Sequence, residues 1–208
     1  MPSQSNLFEE GRERHKPAAK LPQGLKYRPN LVTADEEKAL LARLRALPFQ
    51  NFNFHGFEGK RRTISFGWQY EFSGAGKLQR AEDIPEFFLP LRRCAAEFAG
   101  VDPASLQHVL AIEYGPGAGI GWHRDKSVFG DVIGVSLLAP CVLRFRRTMQ
   151  RATSKGPQKQ WERFNLRAEP RSAYFLSGPA RSVWEHSILR VNSLRYSITF
   201  RTMGESKS

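Results

Sequence analysis

Two histidines and an aspartate carry the first suggestion of chemistry in this 208-residue chain. His123 and Asp125 stand two apart in the glycine-rich run Tyr114-Gly-Pro-Gly-Ala-Gly-Ile-Gly-Trp-His-Arg-Asp125, and His186 follows in Trp184-Glu-His-Ser-Ile188. Two imidazoles and one carboxylate are the ligands of the facial triad, which leaves three positions on ferrous iron open for a keto acid and dioxygen. Residues two apart point to one side of a strand or its end, so one ion can reach both. Gly115, Gly117, Gly119 and Gly121 let the chain turn into that position. A lone His-x-Asp is a weak signal, and most isolated histidines are core or surface residues. His15, His55 and His108 have no comparable company and take structural or surface roles.

Near the end of the chain, Arg195 and Arg201 lie six apart in a run of strand character, 194–202. Alternation puts Arg195, Ser197, Thr199 and Arg201 on one face and Tyr196, Ile198 and Phe200 on the other. Ordinary salt-bridged arginines on an exposed strand face are the commoner case. Inside a barrel, such a pair needs an anion, since an unpaired buried charge is costly and the guanidinium fork suits a carboxylate. On the run 107–114, Tyr114 shares its face with Leu110 and Ile112, where its phenol would donate to the same carboxylate.

These residues need a scaffold that brings distant segments together. Thr33 and Glu36 form a capping box, and Leu40, Leu41, Leu44 and Leu47 recur at helical spacing, so a helix is expected over 34–47, ended by Pro48. A second is expected from Pro85 or Pro90 through Phe98, stopped by Gly100. From Gln107 onward the chain reads as eight short strands: 107–114, 120–124, 131–138, 141–148, 160–167, 172–177, 182–188 and 194–202. Eight strands punctuated by Gly, Pro and Asp suggest a double-sheet jelly roll. The expected class is α+β, a double-stranded β-helix with N-terminal helices packed on one sheet. Residues 1–20 read as a disordered tail and 21–205 as a single domain.

With 40% hydrophobic and 12% aromatic residues the composition is globular, and no apolar run nears the ~20 residues that span a bilayer. No export or organelle signal is visible, and Cys94 and Cys141 are too far apart to chelate, which suits a reducing compartment. A cytoplasmic monomer with no membrane partner is expected. The net charge of +12 points to a polyanionic partner. Nine basic residues fall between Arg144 and Arg171 against Glu162 and Glu169, a local surplus of seven. A solvated basic face is the alternative reading of that segment.

Taken together, Tyr114-Gly-Pro-Gly-Ala, His123-Arg-Asp125, His186 and Asn192-Ser-Leu-Arg195-Tyr-Ser-Ile-Thr-Phe-Arg201 resemble the AlkB-type iron(II)- and 2-oxoglutarate-dependent dioxygenases. The resemblance covers about residues 60 to 203. It implies that His123, Asp125 and His186 hold Fe(2+), the catalytic and metal residues alike. It further implies that Arg195 and Tyr114 hold the distal carboxylate of 2-oxoglutarate, with Arg201 beside Asp125 near the metal-bound end. Ile112 and Ser197 stand where family members often carry asparagines, Ser197 at a co-substrate position, and Ser127 replaces a common acidic residue. The implied reaction consumes O2 and 2-oxoglutarate and hydroxylates an N-alkyl carbon, whose collapse releases an aldehyde.

Residues 60–74 bear on the substrate. Ile64, Phe66, Trp68, Tyr70 and Phe72 alternate with smaller or polar residues, as a half-buried core strand would. The segment also resembles the family's nucleotide-recognition lid, in which Lys60, Arg61 and Arg62 meet phosphates and Trp68, Tyr70 or Phe72 stacks on a flipped base. Arg124 and Lys126, flanking Asp125, join the substrate set. DNA or RNA, met through 60–62 and 144–171, is the expected partner, and direct reversal of base alkylation the expected activity. The alternatives are an oxygenase of proteins or small molecules, and a catalytically silent jelly-roll protein that binds nucleic acid.

Overall fold

The computed structural model describes residues 21–54, 57–71, 77–151 and 156–204. The N-terminal twenty residues, expected to be a disordered tail, therefore lie outside the described residues. In chain order, β1 (Leu25–Arg28) and α1 (Ala34–Arg45) precede β2 (Gln50–Phe54), β3 (Phe57–Phe66), β4 (Trp68–Glu71) and β5 (Lys77–Arg80). After α2 (Leu89–Ala99) come β6 (Leu106–Tyr114), β7 (Ile120–His123), β8 (Phe129–Leu137) and β9 (Cys141–Arg151). The chain closes with β10 (Gln158–Ala168), β11 (Ala173–Leu176), α3 (Gly178–Ser182), β12 (Glu185–Ile188) and β13 (Arg195–Met203).

Local chemistry sets the helix ends. The Thr33 hydroxyl accepts from the Glu36 amide at 3.2 Å and the Glu36 carboxylate accepts from the Thr33 amide at 2.7 Å, the reciprocal capping box. Leu40, Leu41 and Leu44 then fall on the buried side of α1. The eight runs read from residue 107 onward correspond to β6 through β13. The run at 182–188 is shorter as a strand because the Pro179-initiated turn of α3 occupies its start. The alternation across 60–74 does not run through: Gly67, at φ +76, ends β3, and a Cβ there would collide with the Gln107 carbonyl. Consequently β3 and β4 belong to different sheets.

Seven strands form one sheet in the order β1-β11-β8-β13-β6-β3-β2, and four form another, β10-β9-β12-β7; β4 and β5 pair apart. One buried cluster unites Val109, Ala111, Ile133, Val135, Ile198 and Phe200 from the large sheet with Leu40 and Leu44 of α1 and Leu91 and Ala95 of α2. Alternate residues on the same strands, Ile112, Tyr114 and Val132, enter a second cluster with Leu143, Phe145 and Ile188 of the small sheet. Two antiparallel sheets closed over this second cluster make the jelly-roll core. Period-two alternation thus sends one set of β6, β8 and β13 side chains toward the helices and the other into the barrel. Among the described residues no helix is long and apolar enough to cross a membrane.

Candidate active site

Antiparallel pairing of β7 and β12 sets His123 directly opposite His186. Paired residues project to the same side, so the rings meet with centroids 4.2 Å apart. His123 Nδ1 lies 2.9 Å from the Gly121 carbonyl. A carbonyl only accepts, so Nδ1 is a donor here, and Nε2 is the ring nitrogen left to face a metal. Asp125, just past the strand end, brings Oδ2 to 3.6 Å from His186 Nε2. Burial first, and then the neighbouring His123, push the His186 imidazole down to about 3, which keeps it in the neutral, ligating form.

Arg201 governs the carboxylate. Its Nε and Nη2 donate to Asp125 Oδ1 at 3.0 and 2.6 Å. Burial by itself would raise the Asp125 carboxyl, but Arg201, the two imidazoles and Arg181 outweigh it and hold the group well below the usual carboxylate range. The third Arg201 nitrogen, Nη1, is 3.2 Å from His108 Nδ1. Since arginine has only donors, His108 Nδ1 must be the acceptor, and its proton resides on Nε2. Arg181 of α3 fixes the connecting loop, donating to the carbonyls of Asp125, Lys126, Phe129 and Gly130 at 2.7 to 3.2 Å.

Across the barrel, Arg195 is fully buried and forms no ion pair with any carboxylate among the described residues. Its Nε donates to Ser136 Oγ at 3.2 Å, its guanidinium lies 4.8 Å from the centre of the Tyr114 ring, and Nη1 has no partner. A buried cation with an orphaned donor calls for an anion. The Tyr114 phenol is hydrogen-bonded to Ser197, and Tyr174 lies in the same interior cluster. Burial pushes both phenols up, so both remain protonated donors. The backbone of Gly134 makes room for Tyr174, because a Cβ there would collide with that ring.

The donor types fit a ferrous ion and a dicarboxylate: two imidazoles and an ionised carboxylate at one end, and at the other a guanidinium with no carboxylate partner among the described residues, beside phenols. The three ligand candidates converge without surrounding a single point, and no group of three His, Cys, Asp or Glu among the described residues forms a finished cage. Asp125 Oδ1 is taken up by Arg201 instead.

Residues 24–201 match the family model of the 2OG-Fe(II) oxygenase superfamily. The chain belongs to that family. It is 29% identical over 205 residues to the alkylated DNA repair protein ALKBH8 homolog of Arabidopsis thaliana, covering 86% of this chain and 58% of that protein. It is 28% identical over 166 residues to the mitochondrial alpha-ketoglutarate-dependent dioxygenase alkB homolog 7 of Bos taurus, covering 78% of this chain and 66% of the relative. The chain thus spans less than two thirds of either relative's length. Among solved structures, OsALKBH1 superposes with a TM-score of 0.62 at 16% identity, over 88% of this chain and all of that one. A Pseudomonas putida prolyl-4-hydroxylase does so at 0.55 and 14% identity, over 88% of this chain and 94% of that one. This is an AlkB-like 2OG-Fe(II) oxygenase, whose chemistry uses Fe(2+), 2-oxoglutarate and O2.

The substrate candidates of the oxygenase are only partly brought together. Lys126 Nζ lies 5.1 Å from the centre of the Tyr70 ring, joining β4 to the Asp125 loop. Arg61 donates to the Gly119 carbonyl at 3.3 Å and shares the neighbourhood of Tyr114. Arg62, as the adjacent residue on β3, turns to the other face and pairs with Glu113 at 2.7 Å. Trp68 is half-buried with Arg80 stacked 5.1 Å from its ring centre, Arg124 is exposed, and Phe72 lies outside the described residues. Sequence reasoning missed His108, Tyr174 and Arg181. For His108 a signal existed, since it shares strand parity with Tyr114 and so faces inward. Nothing in the sequence marks Arg181, whose role depends on four carbonyls of a folded loop.

Proposed function

We propose that this oxygenase removes N-alkyl groups from bases in DNA or RNA, such as 1-methyladenine and 3-methylcytosine, by direct oxidative reversal. The observation that carries the reading is the Tyr70–Lys126 contact: an aromatic ring and a cation stand together one residue beyond Asp125. An extruded base needs a ring to stack on and a cation near its phosphate. The net charge of +12 and the similarity to the alkylated DNA repair protein ALKBH8 homolog of Arabidopsis thaliana support the same choice of substrate.

Iron(II) bound with 2-oxoglutarate and dioxygen supplies a two-electron oxidation that places one oxygen atom on the N-alkyl carbon and leaves succinate and carbon dioxide. The hydroxyl of the product then gives up its proton, the carbon–nitrogen bond breaks with its electron pair passing to the ring nitrogen, and the carbon leaves as an aldehyde. In this reading His123, Asp125 and His186 are the metal ligands. Arg195 anchors the distal carboxylate with its unpartnered Nη1, helped by phenols that remain protonated. Arg201 keeps Asp125 ionised and oriented, and the Gly121 carbonyl fixes the His123 ring. Phe129 and Phe145, both buried beside these groups, exclude water.

The test is a panel of DNA and RNA oligonucleotides, each with one defined N-alkyl lesion, followed by mass spectrometry with iron and 2-oxoglutarate. Loss of the alkyl mass with matching succinate is expected, and its abolition in His123→Ala, Asp125→Ala and His186→Ala. Turnover of 2-oxoglutarate with no lesion repaired would reject nucleic acid as the substrate and leave an oxygenase of another class.

A further inference from the structure

We propose that the outer face of the four-stranded sheet, turned away from the iron site, binds a single-stranded stretch of nucleic acid. The proposal rests on the nucleic-acid reading above and assigns a surface to it. Strands β9 and β10 pair residue by residue, Phe145 opposite Phe164, Arg146 opposite Arg163 and Thr148 opposite Trp161. Because Leu143, Phe145 and Leu166 enter the barrel core, alternation turns Arg144, Arg146, Arg163 and Trp161 outward. Trp122, next to the inward His123 on β7, faces outward as well.

These side chains form a continuous ladder. The Arg144 and Arg146 guanidiniums lie 4.8 and 4.4 Å from the centre of the Trp122 ring, and Arg146 also lies 4.4 Å from that of Trp161. At one end Arg144 lines an open groove of about 670 Å³ together with Lys60 and Arg190. At the other, Trp161 leaves 42% of its surface exposed, a large apolar area on a polar face. Acidic neighbours do not balance the cations. Glu185 pairs with Arg146 at 2.7 Å and Glu169 with Arg167, but among the described residues Arg144 hydrogen-bonds the Ser187 hydroxyl, at 3.0 Å, and neither it nor exposed Arg163 forms an ion pair.

Cations interleaved with flat rings, the half-buried Trp122 and the exposed Trp161, match a chain that alternates phosphates with bases. Phosphates take the guanidiniums and unpaired bases stack on indoles, irrespective of sequence. An acidic peptide or an anionic membrane would use the charge and leave the rings without a role. The strip therefore holds flanking strand while the lesion enters the barrel from the opposite side of β7.

Binding of the full chain to a dye-labelled oligothymidylate of about 12 nucleotides, followed by anisotropy over a salt series, tests this. Trp161→Ala is expected to weaken binding roughly tenfold, as loss of one stacked base does. Arg163→Gln is expected to flatten the plot of log affinity against log salt by about 0.7. Both positions are exposed, so thermal melting should match the unaltered protein, and turnover of a short methylated trinucleotide should be unchanged. Unaltered affinity and slope in both variants overturn the proposal. So does equal loss of trinucleotide turnover, which would put these residues in the site, or competition by polyglutamate or anionic vesicles as strong as by unlabelled oligonucleotide. Failure of the unaltered protein to repair any lesion would refute dealkylation instead, and leave the binding result standing.

Discussion

Arg201 grips a single oxygen of Asp125, Oδ1, with two nitrogens at 3.0 and 2.6 Å, and leaves Oδ2 facing His186 at 3.6 Å. The carboxylate is thereby divided: one oxygen is committed to the protein and the other is aimed between the histidines. Arg201 in turn is held by His108, so a residue on β6 sets the orientation of a ligand on the loop after β7. Outer-shell partners of this kind fix ligand geometry in metal sites.

Replacing Arg201 with alanine should therefore weaken iron affinity by about 10- to 100-fold even though no ligand is lost. Lysine at this position keeps the charge but cannot place two nitrogens on one oxygen, so it should recover only part of the loss. Anaerobic titration with iron(II) measures both. Affinity equal to that of the unaltered protein in Arg201→Ala would remove Arg201 from metal binding.

Arg195 predicts a different pattern. Its buried guanidinium has no carboxylate partner among the described residues, so it should matter chiefly when 2-oxoglutarate is present. A charge-assisted hydrogen bond contributes about 1.5–3 kcal/mol, so Arg195→Met should raise the 2-oxoglutarate requirement roughly 10- to 100-fold. A ligand at a hundred times its Kd stabilises by about 2.7 kcal/mol, and at the same concentration the variant should keep only about 0.4–1.4 kcal/mol of that. If Arg195→Met instead melts far below the unaltered protein without any co-substrate, the arginine is structural.

How much of this was legible depends on which residues carried their own context. Strand parity alone predicts that Arg195, Ser197, Thr199 and Arg201 share a face, and all four are buried on the interior side of β13. The eight strands of the barrel were legible because glycine, proline and aspartate separate them and each spans only a few residues. Residues 60–74 misled for a physical reason: alternation was counted through Gly67, whose positive φ starts a new strand in another sheet. Adjacent arginines on a strand face opposite ways, so Arg61 and Arg62 cannot serve one phosphate together. The His123–His186 pairing was beyond the sequence, since it depends on the register of two strands far apart in the chain.

The close fit of Tyr174 over Gly134 makes a packing prediction. Gly134→Ala introduces a Cβ into the space occupied by the Tyr174 ring and should destabilise the fold by about 1–3 kcal/mol. Adding Tyr174→Ala removes the obstacle, so the double variant should be less destabilised than the two single losses combined. Urea unfolding of the four proteins yields the coupling. Simple additivity would show that the two positions do not press on one another.

His108 makes the stability of the fold depend on pH. Burial first, and then the adjacent Arg201, hold its imidazole well below the ordinary value of 6.5, against a smaller opposing pull from Asp125. The folded protein thus keeps His108 neutral while the unfolded chain takes up a proton near 6.5. Below that pH the unfolded state binds the extra proton, so stability falls as pH drops and is level above it, by about 1.4 kcal/mol per pH unit for one such group. Asparagine can place its Oδ1 where His108 Nδ1 accepts from Arg201, and it does not titrate. Urea unfolding between about pH 5 and 7.5 should show His108→Asn with a slope shallower by close to one proton. Parallel curves for the two proteins would mean that His108 takes up its proton as readily in the folded state as in the unfolded chain, which is incompatible with its being held as an acceptor for Arg201.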